Sequence, residues 1–123
     1  MGKKHDFEDG TSDIIAAALE VHRTLGPGFR EVEYQRALFF ELKMRNMEFV
    51  REANIKVYYK GRNVGSRRVD FMFADCITEI KAKVEVEDVD FAQTLSYLRA
   101  SGRKVALLLN FGAPKLEIRR LVN

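Results

Sequence analysis

Apolar residues recur at helical spacing in the first third of the chain. Intervals of three and four residues predict a first helix over about 13–24, for which Thr11 or Ser12 can serve as the cap. A second helix is predicted over about 30–45. Gly-Pro-Gly at 26–28 separates the two, because glycine and proline end helical hydrogen bonding. Two helices therefore precede any strand.

From Asn54 onward the apolar period changes to two, which is typical of β-strands. A β-meander is predicted, followed by a third helix, a strand buried on both faces and a short last strand. The predicted bounds are about 54–59, 64–73 and 76–82 for the meander, 89–101 for the helix, and 104–111 and 115–122 for the last strands. This order, ααβββαβ(β), indicates an α/β sandwich with a mixed sheet, in which a helical crossover brings in an interior strand.

Length and composition fit a single domain. With 123 residues, 46% of them apolar and 32% charged, the chain can form one core with a polar surface. We expect a frayed polar N-terminus over 1–11 and one domain over 12–123. The net charge of +3 permits an anionic partner without requiring one, and the single cysteine, Cys76, rules out an internal disulfide. No apolar run approaches the ~20 residues that span a bilayer, so the sequence predicts a cytoplasmic protein without membrane association.

The segment Val69–Lys81 places two acids and a lysine in a predicted β-hairpin. If its turn has two residues, Ala74 and Asp75, Asp70 lies opposite Glu79, and Cβ atoms in such pairs are roughly 4.5–5.5 Å apart. Lys81 is two residues beyond Glu79 and shares its face, because side chains alternate along a strand. A turn of another length would separate the acids. The opposite face is predicted to be apolar, formed by Val69, Phe71, Phe73 and Ile80.

The sequence alone allows two interpretations of this hairpin face. Two carboxylates and a backbone carbonyl, such as that of Ile80, are oxygen ligands suited to Mg²⁺ or Mn²⁺, and Lys81 could orient or deprotonate a water or stabilise a phosphate. Alternatively, Asp70, Glu79 and Lys81 form a solvated surface ion pair worth at most about 1 kcal/mol. Spacing alone favours the surface pair, because acids and lysines occur at such intervals by chance.

The flanking helices contribute further candidates. Glu31 begins the second helix, where the helix dipole would also favour an acid. Gln93 and Tyr97 are four residues apart on one face of the third helix, which is equally consistent with an ordinary amphipathic helix. His22, on an apolar stripe, is more often a hydrogen-bonded core histidine than a ligand.

Taken together, these motifs resemble the GxxExxY family of the PD-(D/E)XK nuclease-like superfamily over about residues 12–122. The resemblance rests on the order and spacing of six segments: Gly28-x-x-Glu31-x-x-Tyr34, YYKGRNVG at 58–65, Arg68-x-Asp70, Glu79-Ile80-Lys81-Ala82, Gln93-x-x-x-Tyr97 and NFG at 110–112. Valine stands before Asp70, where the superfamily name has proline. The resemblance implies a three-layer restriction-endonuclease-like fold, with a central mixed sheet of about four to five strands flanked by helices.

The resemblance also implies roles for particular residues. It implies Asp70, Glu79 and Glu31 as ligands of Mg²⁺ or Mn²⁺, with the Ile80 carbonyl completing the set, and Lys81 as the catalytic lysine. Gln93 resembles a glutamine that positions the lysine, substrate or water. The residues expected to contact substrate are Tyr34, Tyr97, Arg68 and Lys83. His22 falls where the family often has a histidine and stays a secondary candidate.

The function predicted from these residues is metal-dependent hydrolysis of phosphodiester bonds in nucleic acid, with DNA favoured over RNA. Nearby basic residues, Arg62, Arg67, Arg68 and Lys83, would contact phosphates rather than bases. Because so short a chain has no separate recognition domain, we expect weak sequence preference or dependence on a homodimer or a partner protein. The alternative is a non-catalytic nucleic-acid-binding or assembly module that retains the nuclease fold.

Overall fold

The computed structural model describes residues 9–123, so most of the N-terminal segment predicted to fray lies outside the described residues. Within the described chain there are three helices and five strands. Their bounds are α1 (Thr11–Leu25), α2 (Glu31–Met44), β1 (Val50–Tyr59), β2 (Arg62–Met72), β3 (Cys76–Lys81), α3 (Asp88–Ser101), β4 (Val105–Asn110) and β5 (Glu117–Val122). The element order predicted from the periodicity is confirmed.

The strands form one mixed sheet in the order β1-β2-β3-β4-β5. Neighbouring strands are antiparallel except β3 and β4, which are parallel. Helix α3 supplies the crossover that a parallel pair needs. The prediction of a restriction-endonuclease-like α/β fold is therefore confirmed, and the predicted short last strand is present as β5.

Helices cover both faces of the sheet. One core lies beneath α1 and α2 and includes Phe71, Ile80 and Leu107, and a second core lies beneath α3 and includes Val69 and Ile77. Every residue of β4 is buried. This explains why β4 has a near-continuous apolar sequence rather than an alternating one.

Helix α1 begins two residues earlier than predicted, and its first turn is held by a different residue. Neither Thr11 nor Ser12 is the N-cap, which is Gly10. Asp9 Oδ1 accepts hydrogen bonds from the Thr11 backbone nitrogen at 3.2 Å and from Thr11 Oγ1 at 2.6 Å. Asp9 thus provides the side-chain acceptor that the sequence pattern assigned to its neighbours. Over residues 9–123, none of the helices has the length and apolar character needed to cross a bilayer.

The β1–β2 hairpin is long and closes with a tight turn. Lys60 and Gly61 both have positive φ angles, 48° and 82°, which is the conformation of a two-residue hairpin turn matching the strand twist. The strands are paired up to Tyr59 and Arg62, immediately beside the turn. The turn predicted over 60–63 is therefore shorter than expected, and Arg62 and Asn63 belong to β2.

Candidate active site

The site lies where the ladder between β2 and β3 ends. Phe71 pairs with Thr78 and Met72 with Ile77, and Phe73 donates a backbone hydrogen bond to Cys76 across the turn at 2.7 Å. These pairs confirm the two-residue turn and the predicted register. At the next opposed pair, Asp70 and Glu79, hydrogen bonds from side chains replace those of the backbone ladder.

At that step the carboxylates of Asp70 and Glu79 accept the hydrogen bonds of the opposite strand. The Asp70 backbone nitrogen donates to Glu79 Oε1 at 3.0 Å, and the Ile80 backbone nitrogen donates to Asp70 Oδ2 at 2.7 Å. Each acid therefore satisfies a backbone group that would otherwise be unpaired in the sheet interior. The predicted juxtaposition is present, with the carboxylates inserted between the strands.

The pairing of β2 with β1 is also irregular beside Asp70. Arg51 pairs with Phe71 and Ala53 with Val69, whereas Glu52, with φ of 53°, interrupts the ladder between these pairs. The side chains change faces here, since Val69 packs in the core beneath α3 and Phe71 in the core beneath α1 and α2. The prediction that Val69 shares a face with Phe71 is wrong for this reason.

Gln35 of α2 fixes the Asp70 carboxylate from the helical side. Its Nε2 atom donates a hydrogen bond to Asp70 Oδ1 at 2.7 Å, and the residue is only 9% exposed. Gln35 was not among the residues predicted from the sequence. The sequence does indicate that Gln35 could reach the site, because it follows Glu31 by four residues and so lies on the same face of the helix.

Burial raises the pKa values of both acids. For Glu79, burial is the main cause and the adjacent charge of Asp70 adds to it, which together raise the pKa to about 8. Burial also raises the pKa of Asp70, although the hydrogen bonds from Ile80 and Gln35 and the charge of Lys81 oppose the rise. Two buried like charges in contact are costly, and perturbed acids of this kind are common at functional sites.

Glu31 and Lys81 complete the electrostatic environment. Burial raises the pKa of Glu31, while the positive charge of Lys81 lowers it and the negative charge of Asp70 raises it. Lys81 likewise opposes the shift at Glu79. However, within residues 9–123 no group of three or more histidine, cysteine or acidic side chains is arranged to hold a metal ion. Glu31 nevertheless lies close enough to Asp70 and Glu79 for their charges to influence one another, since the charge of Asp70 raises the pKa of Glu31 and the charge of Glu31 raises the pKa of Glu79.

Two of the basic residues expected to contact substrate are paired with acids. Lys83 Nζ lies 2.6 Å from Glu87 Oε1 and 2.9 Å from Asp90 Oδ2. Burial alone would raise the pKa of Asp90, but the hydrogen bonds from Lys83 and the Glu87 backbone, together with the charges of Lys83 and Lys81, outweigh burial and lower the pKa. Arg68 lies 3.6 Å from Glu52. These ion pairs of Lys83 connect the loop after β3 to the start of α3.

Tyr34 has a structural position rather than a place on the substrate surface. It is fully buried, its hydroxyl donates to the Gly26 carbonyl at 2.5 Å, and it accepts a hydrogen bond from the Phe29 nitrogen at 3.1 Å. Its ring stacks on Phe111 with centroids 4.9 Å apart. The expectation that Tyr34 contacts substrate is wrong, because its side chain is fully buried and instead fixes the loop that precedes α2.

The Asn110-Phe111-Gly112 segment clamps the loop that follows β3. Asn110 is fully buried; its Oδ1 accepts from the Lys83 nitrogen at 2.9 Å, and its Nδ2 donates to the Lys83 carbonyl at 2.9 Å and to Glu117 Oε1 at 2.7 Å. A Cβ atom added at Gly112 would overlap the backbone of Lys83. The motif therefore fixes the chain directly after Lys81.

The remaining candidates are Gln93 and Tyr97 of α3 and His22 of α1. Gln93 is exposed on α3, and the structure records no hydrogen bond from it to any residue in the range 9–123. Tyr97 is half-buried and lines a groove of about 300 Å³ between α3 and the β1–β2 hairpin, together with Arg67. His22 is half-buried rather than in the core, and its Nε2 lies 3.0 Å from the Ala113 carbonyl oxygen, so it is hydrogen-bonded as expected.

Comparison with known protein families agrees with this geometry. A family model described as the PD-(D/E)XK nuclease superfamily matches residues 8–121. The chain belongs to the PD-(D/E)XK nuclease superfamily. No curated protein and no solved structure matches the chain. Membership of this superfamily supports a nuclease-like function and a nucleic acid as the type of substrate, and its nucleases generally use divalent metals.

Proposed function

We propose that this protein is a metal-dependent nuclease of the GxxExxY branch of its superfamily, hydrolysing phosphodiester bonds of nucleic acid, with DNA favoured over RNA. The observation that carries the proposal is the insertion of the Asp70 and Glu79 carboxylates between β2 and β3. A solvated surface ion pair does not account for it, because Glu79 is only 7% exposed and both acids have raised pKa values.

The donor set fits Mg²⁺ or Mn²⁺. The carboxylates of Asp70 and Glu79, with the Ile80 carbonyl beside them, are hard oxygen ligands of the kind that these ions prefer. Both Asp70 oxygens already accept hydrogen bonds, but an ionised carboxylate has about four acceptor positions and can still take a ligand. A bound divalent cation supplies positive charge at a phosphate oxygen and makes water more acidic.

The side chains around the acids have complementary roles in this proposal. Gln35 holds the Asp70 carboxylate in one orientation. Lys81 provides a fixed positive charge beside the acids, suited to stabilising charge that develops on a phosphate or to orienting the attacking water. Glu31 adds negative charge that attracts a cation to the same region.

A nuclease assay with matched variants tests the proposal. The purified protein is incubated with linear, nicked and single-stranded DNA and with RNA, in Mg²⁺, in Mn²⁺ and in EDTA. We expect metal-dependent cleavage that Asp70→Asn, Glu79→Gln and Lys81→Met each reduce by at least about a hundredfold. Glu48→Gln and Lys115→Met change an exposed acid and an exposed lysine elsewhere and serve as controls. Cleavage that survives Asp70→Asn would contradict the assignment of this site.

A second candidate, a non-catalytic nucleic-acid-binding module, is favoured by one observation. Within the described residues no set of three histidine, cysteine or acidic side chains is arranged to hold a metal ion. This candidate predicts nucleic-acid binding that falls with salt and is unchanged by Glu79→Gln, without cleavage in any metal. Metal-dependent cleavage lost in the same variant would exclude it.

A further inference from the structure

The β1–β2 hairpin carries positive charge and no negative charge beyond its base. Between Ala53 and Val69 the sequence contains no acidic residue and five basic ones: Lys56, Lys60, Arg62, Arg67 and Arg68. Arg68 pairs with Glu52 at the base, whereas no ion pair to a carboxylate in residues 9–123 is recorded for the other four. Unpaired charges of one sign on one projecting element create a local positive potential that attracts polyanions.

The shape of the hairpin suits a duplex. At about 3.3 Å per residue, the strand from Gly61 to Asp70 extends about 30 Å. That length corresponds to about nine base pairs, close to one turn of B-form DNA. A two-stranded ribbon also fits the major groove, which is about 12 Å wide. The tight turn and the pairing up to Tyr59 and Arg62 keep this ribbon ordered to its tip.

Aromatic side chains near the tip add to the surface. Tyr58 and Tyr59 are 59% and 62% exposed, and Lys60 Nζ lies 5.4 Å from the centre of the Tyr59 ring. Tyrosine hydroxyls donate to phosphate oxygens, and such contacts set the position of a protein on a duplex without specifying sequence. The tip therefore combines cations and hydroxyl donors.

The base of the hairpin is fixed relative to the acids. Ala53, Ile55 and Val69 pack in the core beneath α3, and Asp70 follows Val69 directly in the chain. A phosphate backbone held along β2 would therefore lead towards the point where the carboxylates of Asp70 and Glu79 lie between the strands.

We propose that the hairpin segment 56–67 is a duplex-binding arm, which contacts phosphates over about six base pairs and delivers the duplex to the Asp70–Glu79 site, about one helical turn from the tip. The delivery step rests on the proposed nuclease function, whereas duplex binding by the arm does not. The partner is double-stranded nucleic acid. Single strands and anionic lipid surfaces are the alternatives that the test distinguishes.

Binding measured apart from cleavage tests the arm. Fluorescence anisotropy follows the full chain on a labelled duplex of about 20 base pairs, roughly two helical turns, in EDTA between about 50 and 200 mM salt. The double variant Lys60→Gln/Arg62→Gln is expected to bind about tenfold more weakly, with a slope of log affinity against log salt that is smaller by about 1–2. Lys115→Gln/Arg119→Gln removes the same charge at the β5 side and is expected to retain wild-type affinity and slope.

The outcomes separate the arm from the nuclease proposal. If the hairpin variant binds the duplex as tightly as wild type, or if both double variants weaken binding equally, the arm is overturned even if the protein cleaves DNA. If Asp70→Asn abolishes cleavage while binding through the hairpin persists, both proposals are supported. If no metal supports cleavage but the hairpin variant alone loses affinity, the arm stands without the nuclease function. Tighter hairpin-dependent binding to a single strand or to phosphatidylserine vesicles would also overturn it. Circular dichroism confirms that each variant is folded.

Discussion

Gln35 and Asp70 are joined by a hydrogen bond of 2.7 Å between the helix α2 and the irregular point of strand β2. This bond, together with the one from the Ile80 nitrogen, occupies one acceptor position on each carboxylate oxygen of Asp70. The carboxylate is therefore held in one orientation by neutral donors before any ligand arrives. Partners that orient a metal-binding carboxylate in this way affect metal affinity without touching the metal.

Removing the Gln35 amide donor is expected to weaken metal binding more than it destabilises the fold. Gln35→Met keeps a side chain of similar length without a hydrogen-bond donor. We expect Mn²⁺ affinity, measured by isothermal titration calorimetry, to fall by about 10–100-fold. The free energy of unfolding should fall by no more than about 1–2 kcal/mol, since only one hydrogen bond is lost. Unchanged Mn²⁺ affinity in a folded variant would show that the Gln35–Asp70 bond does not prepare the site.

The raised pKa of Glu79 gives the stability of the metal-free protein a specific pH dependence. The folded protein retains the Glu79 proton up to a pKa of about 8, whereas the ordinary value is 4.5. Between these values the folded state binds more protons than the unfolded state, so the free energy of unfolding decreases as pH rises. We therefore expect urea unfolding in EDTA to show a loss of a few kcal/mol between pH 5 and pH 8, taking about 1.4 kcal/mol per pKa unit.

A matched variant isolates the contribution of Glu79. Glu79→Gln keeps an oxygen acceptor for the Asp70 nitrogen and removes the titrating proton, so its stability should change less over the same pH range. Mg²⁺ should stabilise the wild-type protein more at pH 8 than at pH 5, because protons compete for the same oxygens. Parallel pH profiles for the variant and the wild type would contradict a raised pKa at this position.

The fold could be predicted because its elements differ in hydrophobic period. The continuous apolar run of β4 predicted a strand buried on both faces, and the short turn at Ala74 and Asp75 predicted the register of β2 and β3. The face change at Val69 could not be predicted, because it depends on the left-handed conformation of Glu52, a residue with no sequence preference for that conformation.

The candidate site was only partly predictable for a similar reason. The register brought Asp70 and Glu79 together, but the identity of the helix residue that contacts Asp70 depends on how α2 lies against the sheet. That packing brings Gln35 to Asp70, whereas Glu31, one turn earlier in the helix, acts on the two acids through its charge. Motif spacing also did not distinguish residues that could contact substrate from residues that hold the fold: Tyr34 and Asn110 lie in two of the motifs on which the resemblance rests, yet both are fully buried and hold loops.

Cys76 provides a probe for opening of the sheet beside the site. Its thiol is fully buried at the start of β3, and burial raises its pKa to about 12. Because thiolates are the reactive form, a disulfide reagent at pH 8 should label the native protein only as fast as it opens, and should label the urea-unfolded chain at once. Each molecule has one cysteine, so the signal is unambiguous. Rapid labelling of the native protein would show that the β2–β3 turn opens readily.

The loop after β3, which contains Lys83, should be destabilised by a single methyl group added at Gly112. Gly112 has no room for a side chain, because a Cβ atom there would overlap the backbone nitrogen and carbonyl of Lys83, whereas a Cβ at Gly65 in β2 would meet nothing within 4 Å. Backbone atoms cannot rotate away as a flexible side chain can, so Gly112→Ala is expected to lower the free energy of unfolding by about 3 kcal/mol. Gly65→Ala is the control and should change it by less than about 1 kcal/mol. Since Lys83 follows Lys81 by two residues, Gly112→Ala should also reduce cleavage at temperatures where the variant remains folded. Equal stability of the two variants would mean that the Asn110-Phe111-Gly112 segment does not clamp the Lys83 backbone.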